Sequence, residues 1–220
     1  MIREFLKLLS KDNLQVQALS ECYAMLDMCQ KMVDASVQSL RHSDNADIEI
    51  DLYEMDRKVN SFERDVRRKV MTHLSMGNTA DISSGLALVS VVIDLERIGD
   101  YSKNIHDLAV SHPKRLDAGE FEEQLSKIEA VALENFRRTV TAFKEGDMVE
   151  ARRLMEEYKE DISKHVRDQE TRLVSGESSL PAAEAVTVAL YGRFLKRIAA
   201  HSRNLVSSIV NPFDRIGYPE

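Results

Sequence analysis

The sequence predicts an all-α fold of two tandem three-helix bundles, with six long antiparallel helices. Apolar residues recur three and four positions apart over long segments, which is the spacing of a helix with one buried face. Short tracts of Gly, Pro, Asn, Asp and Ser separate these segments, and such residues begin or end helices. The chain of 220 residues holds only 8 Gly and 4 Pro, too few for a loop-rich β fold.

The breaks between the apolar segments set the bounds that we expect for each helix. Gly77-Asn78 ends the second helix, Pro113 ends the third and Gly146-Asp147 ends the fourth. Six helices are therefore expected at about 14–41, 46–75, 82–112, 120–144, 148–175 and 182–210. Ahead of them, residues 1–11 form a short amphipathic segment that either packs on the chain's own bundle or serves as a surface-docking arm.

The second half of the chain repeats the plan of the first half. A shift of 103 residues carries Val33 onto Phe136, and a shift of 100 carries Asn104 onto Asn204. Self-similarity at a fixed period is the mark of a duplicated architecture.

The repeat predicts the domain organisation. We expect a first bundle at residues 1–115, a second at 116–212 and a tail at 213–220. Short connections favour antiparallel neighbours within each bundle. We expect the first and fourth helices to pack the two halves together.

Composition excludes several classes of protein. The formal net charge of −7 argues against non-specific nucleic-acid binding. The N-terminus lacks a signal-peptide pattern, and no apolar run approaches the roughly 18 residues of a membrane span. Cys22 and Cys29 are seven positions apart on one predicted helix, about 10 Å along its axis and too far for a disulfide. We therefore expect core thiols in a reducing, cytoplasmic compartment.

One predicted helix face carries a row of oxygen-bearing side chains. Glu96, Asp100 and Asn104 are each four residues apart on the third helix, so they share a face. Like charges at that spacing repel, and water, a basic partner or a hard metal ion has to compensate them. Asp56 and Asn60, four apart on the second helix, can face this row. Carboxylate and amide oxygens suit hard cations, so these five residues are the predicted metal ligands.

The same stretch resembles a family signature. The segment DLERIGD from Asp94 to Asp100, followed by Asn104, is similar to the signature of the PhoU family of phosphate-transport regulators. The segment DRKVN from Asp56 to Asn60 resembles the companion motif of that family. The resemblance extends over nearly the whole chain, because it includes the two repeats of three long helices.

The resemblance implies a function as well as a fold. It implies a non-enzymatic cytoplasmic regulator that restrains phosphate uptake or phosphate-starvation signalling. The expected partners are a phosphate transporter, a phosphate sensor kinase or both, and the expected assembly is a homodimer that is peripheral to the membrane through its protein partners. The resemblance also implies bound metal ions, such as iron, zinc, manganese or magnesium, and no nucleic acid.

The second repeat departs from this pattern. Lys196 stands where the first repeat has Glu96, and Ala200 stands where it has Asp100. A lysine brings a positive charge to the position that a bound cation would occupy. We therefore expect metal ions at the first repeat only.

Other interpretations of the acidic row stay open. The acids can simply pair with neighbouring basic residues such as Arg97 and Lys103, as solvated helix-face charges usually do. The chain can also be a structural accessory subunit of an ion-coupled phosphate permease. An enzymatic carboxylate-bridged metal centre has little support, because the Glu-x-x-His pairs of di-iron bundles are absent from the sequence.

Two further residues of the third helix carry predictions. Gly99 lies inside a helix, where glycine costs roughly 1 kcal/mol relative to alanine, so a neighbouring helix or an ion is expected close to it. His106 lies two residues past Asn104, off the acidic row, and is expected to be exposed or part of an ion pair.

Overall fold

The computed structural model describes residues 13–112, 114–157 and 162–219, and these residues are largely helical. Their α-helices are α1 (Leu14–His42), α2 (Leu52–Ser75), α3 (Ile82–Ser111), α4 (Glu122–Glu145), α5 (Met148–Glu157), α6 (Ile162–Val174) and α7 (Ala182–Val210). Short 3₁₀ turns lie at Thr79–Asp81, Gly119–Phe121 and Phe213–Arg215. The described residues contain no strand, which confirms the predicted all-α class. The amphipathic segment at residues 1–11 lies outside them.

The helix bounds follow the predicted breaks with one clear exception. Helix α7 has the predicted bounds, and α5 and α6 cover the described part of the predicted fifth helix. Helix α2, however, begins at Leu52 rather than at residue 46. Ala46 has a φ of 56°, which a right-handed helix does not admit, and the side chain of Asp51 caps the helix by accepting from the Glu54 amide at 2.8 Å.

A continuous apolar core runs through both halves of the chain. Helix α3 packs against α1, α2 and α7, and α7 packs against α3, α4, α5 and α6. Fully buried residues recur 100 positions apart on these two helices, at Leu95, Ile98, Ile105, Leu195, Ile198 and Leu205. Burial of each such side chain stabilises the fold by about 1.5–3 kcal/mol. The boundary predicted between residues 115 and 116 stays a prediction.

The halves are joined mainly by α3 and α7, and the expectation that the first and fourth helices join them is wrong. Helices α1 and α4 meet over a smaller contact, which includes the edge-to-face rings of Tyr23 and Phe143. Exposed ion pairs complete that contact, with Arg137 Nη2 lying 2.8 Å from Asp34 Oδ1. Helices α3 and α7 pack together over the larger of the two contacts.

The buried side chain of Arg41 links the C-terminal end of α1 to the second half of the chain. Arg41 is 9% exposed, and its Nε donates to Glu129 Oε2 at 3.0 Å while Nη1 donates to the Leu116 carbonyl at 3.1 Å. The guanidinium also pairs with Glu122. Tyr191 on α7 donates to the same Glu129 oxygen at 2.7 Å. This arginine network therefore links α1, the connection after α3, α4 and α7.

The remaining expectations about the fold concern membranes and cysteines. Among the described helices, none combines the length and the apolar character that crossing a bilayer requires. Cys22 and Cys29 are free and fully buried, as predicted for core thiols.

Candidate functional site

The acidic face is built by α2 and α3, which lie against each other. We use this name for Asp56 and Asn60 of α2 together with Glu96, Asp100 and Asn104 of α3. Both helices bury a stripe of apolar side chains next to this face, and the burial fixes which way the polar residues point. Asp56 lies deepest, with 8% of its surface exposed.

A lysine of α3 lies between two carboxylates of the acidic face. The ammonium of Lys103 donates to Asp56 Oδ2 at 3.0 Å and to Asp100 Oδ1 at 3.1 Å. The other oxygen of Asp100 accepts from Arg97 Nη1 at 3.2 Å. Both oxygens of Asp100 therefore already have a cationic partner.

The negative charge of Glu96 is less fully compensated than that of Asp100. Its nearest cation is Arg97, with Nε at 3.4 Å from Glu96 Oε2, and the Arg97 side chain is half exposed. Partial burial raises the pKa of the Glu96 carboxyl, and the negative charges of Asp100 and Glu63 raise that pKa further. Glu63 was not among the predicted site residues, although it lies on α2 two turns after Asp56 and its own partner is Arg67.

Some of the five predicted residues lie closer together in the structure than others do. Asp56 and Asp100 share the ammonium of Lys103, and Asn60 Nδ2 donates to Asp56 Oδ2 at 3.3 Å. Glu96 lies near Asp100 on the same helix. Asn104 is half-buried one turn further along α3.

In this arrangement the acidic face does not fit a metal ion. Across residues 13–112, 114–157 and 162–219, no three His, Cys, Asp or Glu side chains come together as a group that could hold one. The place between the carboxylates of Asp56 and Asp100 is taken by the ammonium of Lys103. Binding of iron, zinc, manganese or magnesium at the five predicted residues stays a prediction, and it requires Lys103 to move.

A buried thiol underlies the acidic face without contributing a ligand. Cys29 of α1 donates from Sγ to the Leu95 carbonyl at 3.2 Å. Burial raises the pKa of this thiol to about 12, and the charges of Asp56 and Glu96 act in the same direction. The thiolate that a metal would need is therefore strongly disfavoured.

The close approach to the backbone of α3 that was expected at Gly99 is not found. A Cβ added at Gly99 would lie 3.5 Å from Val59 Cγ1 and 3.9 Å from Cys29 Sγ. These are ordinary van der Waals distances, so the space at Gly99 admits a methyl group.

Asp94, the first residue of the signature stretch, points away from the acidic face and into the joint with α7. Its Oδ1 accepts from His201 Nδ1 and from Asn204 Nδ2, both at 2.8 Å. The ring of His201 stacks on Tyr101 with centroids 5.8 Å apart. Arg197 Nε donates to the Tyr101 hydroxyl at 3.0 Å. We call Asp94, Tyr101, Arg197, His201 and Asn204 the inter-bundle clasp.

The inter-bundle clasp was not predicted from the sequence, although the sequence contains one signal for it. Asp94 precedes Glu96 by two positions, which places it about 200° away on a helical wheel. That offset puts Asp94 on the opposite side of α3 from Glu96 and Asp100. The partners of Asp94 lie 107 and 110 residues later in the chain, and local patterns do not identify contacts at such a distance.

His106 is buried, so the expectation of an exposed or ion-paired histidine is wrong. Its ring is 5% exposed, and Nδ1 lies 2.9 Å from Ser39 Oγ. The ring also packs against Tyr53, with centroids 5.9 Å apart. Burial lowers the pKa of His106 and favours the neutral imidazole. His106 is thus a hydrogen-bonded core residue between α1 and α3.

The fold and the acidic face together define the class of protein. It is an all-α protein of tandem helical bundles that carries a charged signature on the face of one bundle. Residues 23–109, which include both helices of that face, match the family model described as the PhoU domain. The family resemblance seen in the sequence is therefore confirmed over residues 23–109.

Solved structures share this fold. The crystal structure of PhoU from Pseudomonas aeruginosa superposes with a TM-score of 0.76 at 20% sequence identity, over 91% of this chain and 97% of that one. The phosphate transport system regulatory protein PhoU from Streptococcus pneumoniae gives a TM-score of 0.71 at 14% identity, over 89% of this chain and 93% of that one. No curated protein sequence matches the chain.

Proposed function

We propose that this chain is a non-enzymatic cytoplasmic regulator of phosphate uptake or phosphate-starvation signalling. The observation that carries the proposal is the PhoU-domain match over residues 23–109, within which the acidic signature is intact. The similar structure from Streptococcus pneumoniae is named as a regulatory protein of the phosphate transport system. At 14% identity that structure supports the fold, and the function follows as our inference.

The proposed mechanism is contact between the acidic face and a basic surface of a phosphate transporter or sensor kinase. The carboxylates of Asp56, Glu96 and Asp100 share the two cations Arg97 and Lys103, which leaves an excess of negative charge. Complementary charge speeds encounter and selects partners more than it adds affinity. Phosphate enters this mechanism as the solute that the partner carries or senses.

Conversion of the acidic face into its second-repeat counterpart tests the proposal. The variant Glu96→Lys/Asp100→Ala copies Lys196 and Ala200, which α7 already accommodates. The control is Glu123→Lys, which reverses the charge of an exposed carboxylate of α4 in the way that Glu96→Lys does on the acidic face. Each protein is immobilised, exposed to extracts of phosphate-replete cells and washed, and the retained proteins are identified by mass spectrometry.

We expect wild type and the control to retain phosphate-transporter or sensor-kinase components, and the face variant to lose them. Circular dichroism checks that all three proteins remain helical. Equal retention by the face variant contradicts the contact mechanism. Recovery of a permease subunit alone, unaffected by external phosphate, supports the structural accessory role instead. Recovery of neither kind of partner contradicts both.

A homodimer is part of the proposal and has its own measurement. We expect sedimentation equilibrium of the purified chain to give twice the monomer mass of 25.0 kDa. A mass of one chain at micromolar concentration contradicts this part of the proposal.

A further inference from the structure

The ammonium of Lys103 has the position and the contacts of a bound cation. It lies between a carboxylate of α2 and a carboxylate of α3, at 3.0 Å from Asp56 Oδ2 and 3.1 Å from Asp100 Oδ1. The side chains of Asp56 and Asp100 are only 11% and 27% exposed. Both acids are thus withdrawn from water and obtain their compensation from the protein itself.

The contacts of Lys103 are those of a charged amine. Its ammonium donates to one carboxylate of α2 and one of α3. A lysine side chain carries a full positive charge throughout the physiological pH range. A hard metal ion would need the same carboxylate oxygens at about 2.0–2.6 Å, and a neighbouring ammonium would repel it.

Arg97 does not occupy this position. Its side chain is half exposed and reaches the outer oxygen of Asp100 at 3.2 Å, together with Glu96 at 3.4 Å. A half-exposed arginine can turn into solvent at small cost, because exposed ion pairs contribute little to stability. Lys103 bridges the two helices and is the less exposed of the two cations.

We propose that Lys103 is the resident cation of the acidic face and determines its selectivity against metal ions. A metal ion binds there only when the Lys103 ammonium leaves, and removal of the lysine charge turns the face into a metal site. The inference is independent of the chain's part in phosphate regulation, since it concerns which cation the carboxylates hold.

The test compares metal affinity in wild type and in matched lysine variants. Lys103→Met removes the charge and keeps most of the apolar stem, while Lys103→Gln keeps an N–H donor near the two carboxylates. Lys58→Met is the control, because Lys58 is an exposed lysine on α2 that pairs with Glu54. Isothermal titration calorimetry with MnCl₂ and with ZnCl₂, after chelator treatment, gives the affinity of each protein.

We expect both Lys103 variants to bind Mn²⁺ at least about tenfold more tightly than wild type, because the repelling charge is gone. Lys58→Met should behave as wild type. The double variant Lys103→Met/Asp100→Asn should lose the gained affinity, which assigns the binding to this face. Equal affinity in wild type and both Lys103 variants overturns the proposal, as does an equal gain in Lys58→Met.

A second measurement covers the case in which loss of the lysine impairs folding. Without the ammonium, Asp56 and Asp100 retain only Asn60 and the half-exposed Arg97 as partners, so Mn²⁺ should raise the melting temperature of Lys103→Met and leave that of wild type unchanged. A variant that is unfolded both with and without Mn²⁺ shows that a metal ion does not replace the ammonium, and it contradicts the proposal.

Discussion

Helices α3 and α7 are similar in length and core packing but differ in the chemistry of their polar faces. Both bury leucine and isoleucine at positions 100 residues apart, and they pack against each other at the centre of the molecule. On its α2-facing side α3 carries Glu96 and Asp100, where α7 carries Lys196 and Ala200. A long, buried helix therefore forms with either set of polar residues. The acids are not required by the fold, which favours a functional reason for their presence.

The comparison of α3 with α7 extends to polar residues at other corresponding positions. Asn204 hydrogen-bonds Asp94 across the joint, whereas Asn104 belongs to the acidic face and is half-buried on α3. Tyr101 and His201, also 100 positions apart, stack on each other. Positions 104 and 204 thus serve the acidic face on one helix and the inter-bundle clasp on the other, while positions 101 and 201 both belong to the clasp.

The largest expected effect comes from breaking the clasp. Asp94→Ala leaves His201 and Asn204 without their shared acceptor in a buried joint, and the loss should lower the free energy of unfolding by about 2–3 kcal/mol. Urea denaturation followed by circular dichroism measures it. The control Asp65→Ala removes a carboxylate from an exposed pair with Arg68 and should change stability by less than about 0.5 kcal/mol. Equal effects of the two substitutions contradict the clasp.

The next effect concerns a glycine of α7. A Cβ at Gly192 would lie 2.9 Å from Gln169 Nε2, and Gln169 is fully buried with its Nε2 donating to the Val188 carbonyl. Displacement of this amide would strain its buried hydrogen bond, so Gly192→Ala should destabilise the chain by about 1–3 kcal/mol. Thermal and urea unfolding measure the loss. Unchanged stability would mean that α6 and α7 adjust more freely than their packing indicates.

The matching glycine substitution on α3 should act in the opposite direction. At Gly99 an added methyl meets Val59 at an ordinary 3.5 Å, and α7 already has Ala199 at the corresponding position. Alanine is favoured over glycine in a helix interior, so Gly99→Ala should stabilise the chain by about 0.5–1 kcal/mol. The same unfolding experiments apply. A destabilised Gly99→Ala would indicate that α2 approaches α3 more closely than these distances allow.

The smallest expected effect is the pH-dependent contribution of Glu96 to the stability of the fold. Its pKa is raised in the folded chain, so the folded state holds this proton more tightly than the unfolded state. Stability from this group is then present at low pH and is lost as the pH rises through the raised pKa. Glu96→Gln should therefore stabilise the chain near pH 7 by less than about 1 kcal/mol, and the gain should vanish in the ordinary carboxyl range.

Urea unfolding of wild type and Glu96→Gln between pH 4 and pH 8 measures this dependence. Glu123→Gln serves as the control, because the Glu123 carboxyl is exposed and its hydrogen bond with Lys127 lowers its pKa. The control should show the opposite sign. A gain in Glu96→Gln that is independent of pH contradicts the assigned cause.

The sequence predicts the helices of this fold well because helix formation is largely local. The bounds of α7 follow from Pro181 before it and from Asn211-Pro212 after it, and both are short-range signals. The start of α2 was predicted wrongly because the tract before it offers several caps. The left-handed backbone at Ala46 and the capping bond of Asp51 decide among them.

Sequence spacing places the acids of α3 on one side of the helix, but it left open whether a metal ion or the neighbouring basic residues compensate them. Spacing by four positions is enough to place Glu96, Asp100 and Asn104 on one side of α3. Spacing does not tell whether a neighbouring lysine points along the helix or across to Asp56, and this direction decides which cation the carboxylates hold. The clasp and the burial of His106 depend on the packing of separate helices, which local patterns do not determine.

The arginine network has a consequence for dividing the chain. A fragment that ends at residue 115 would lack Glu122 and Glu129, which compensate Arg41, and would expose the side of α3 that α7 covers. It would also leave Asp94 without its two donors. The PhoU-domain segment is therefore a poor unit for separate expression, and limited proteolysis in the connection after α3 should give two pieces that stay associated until denaturant is added.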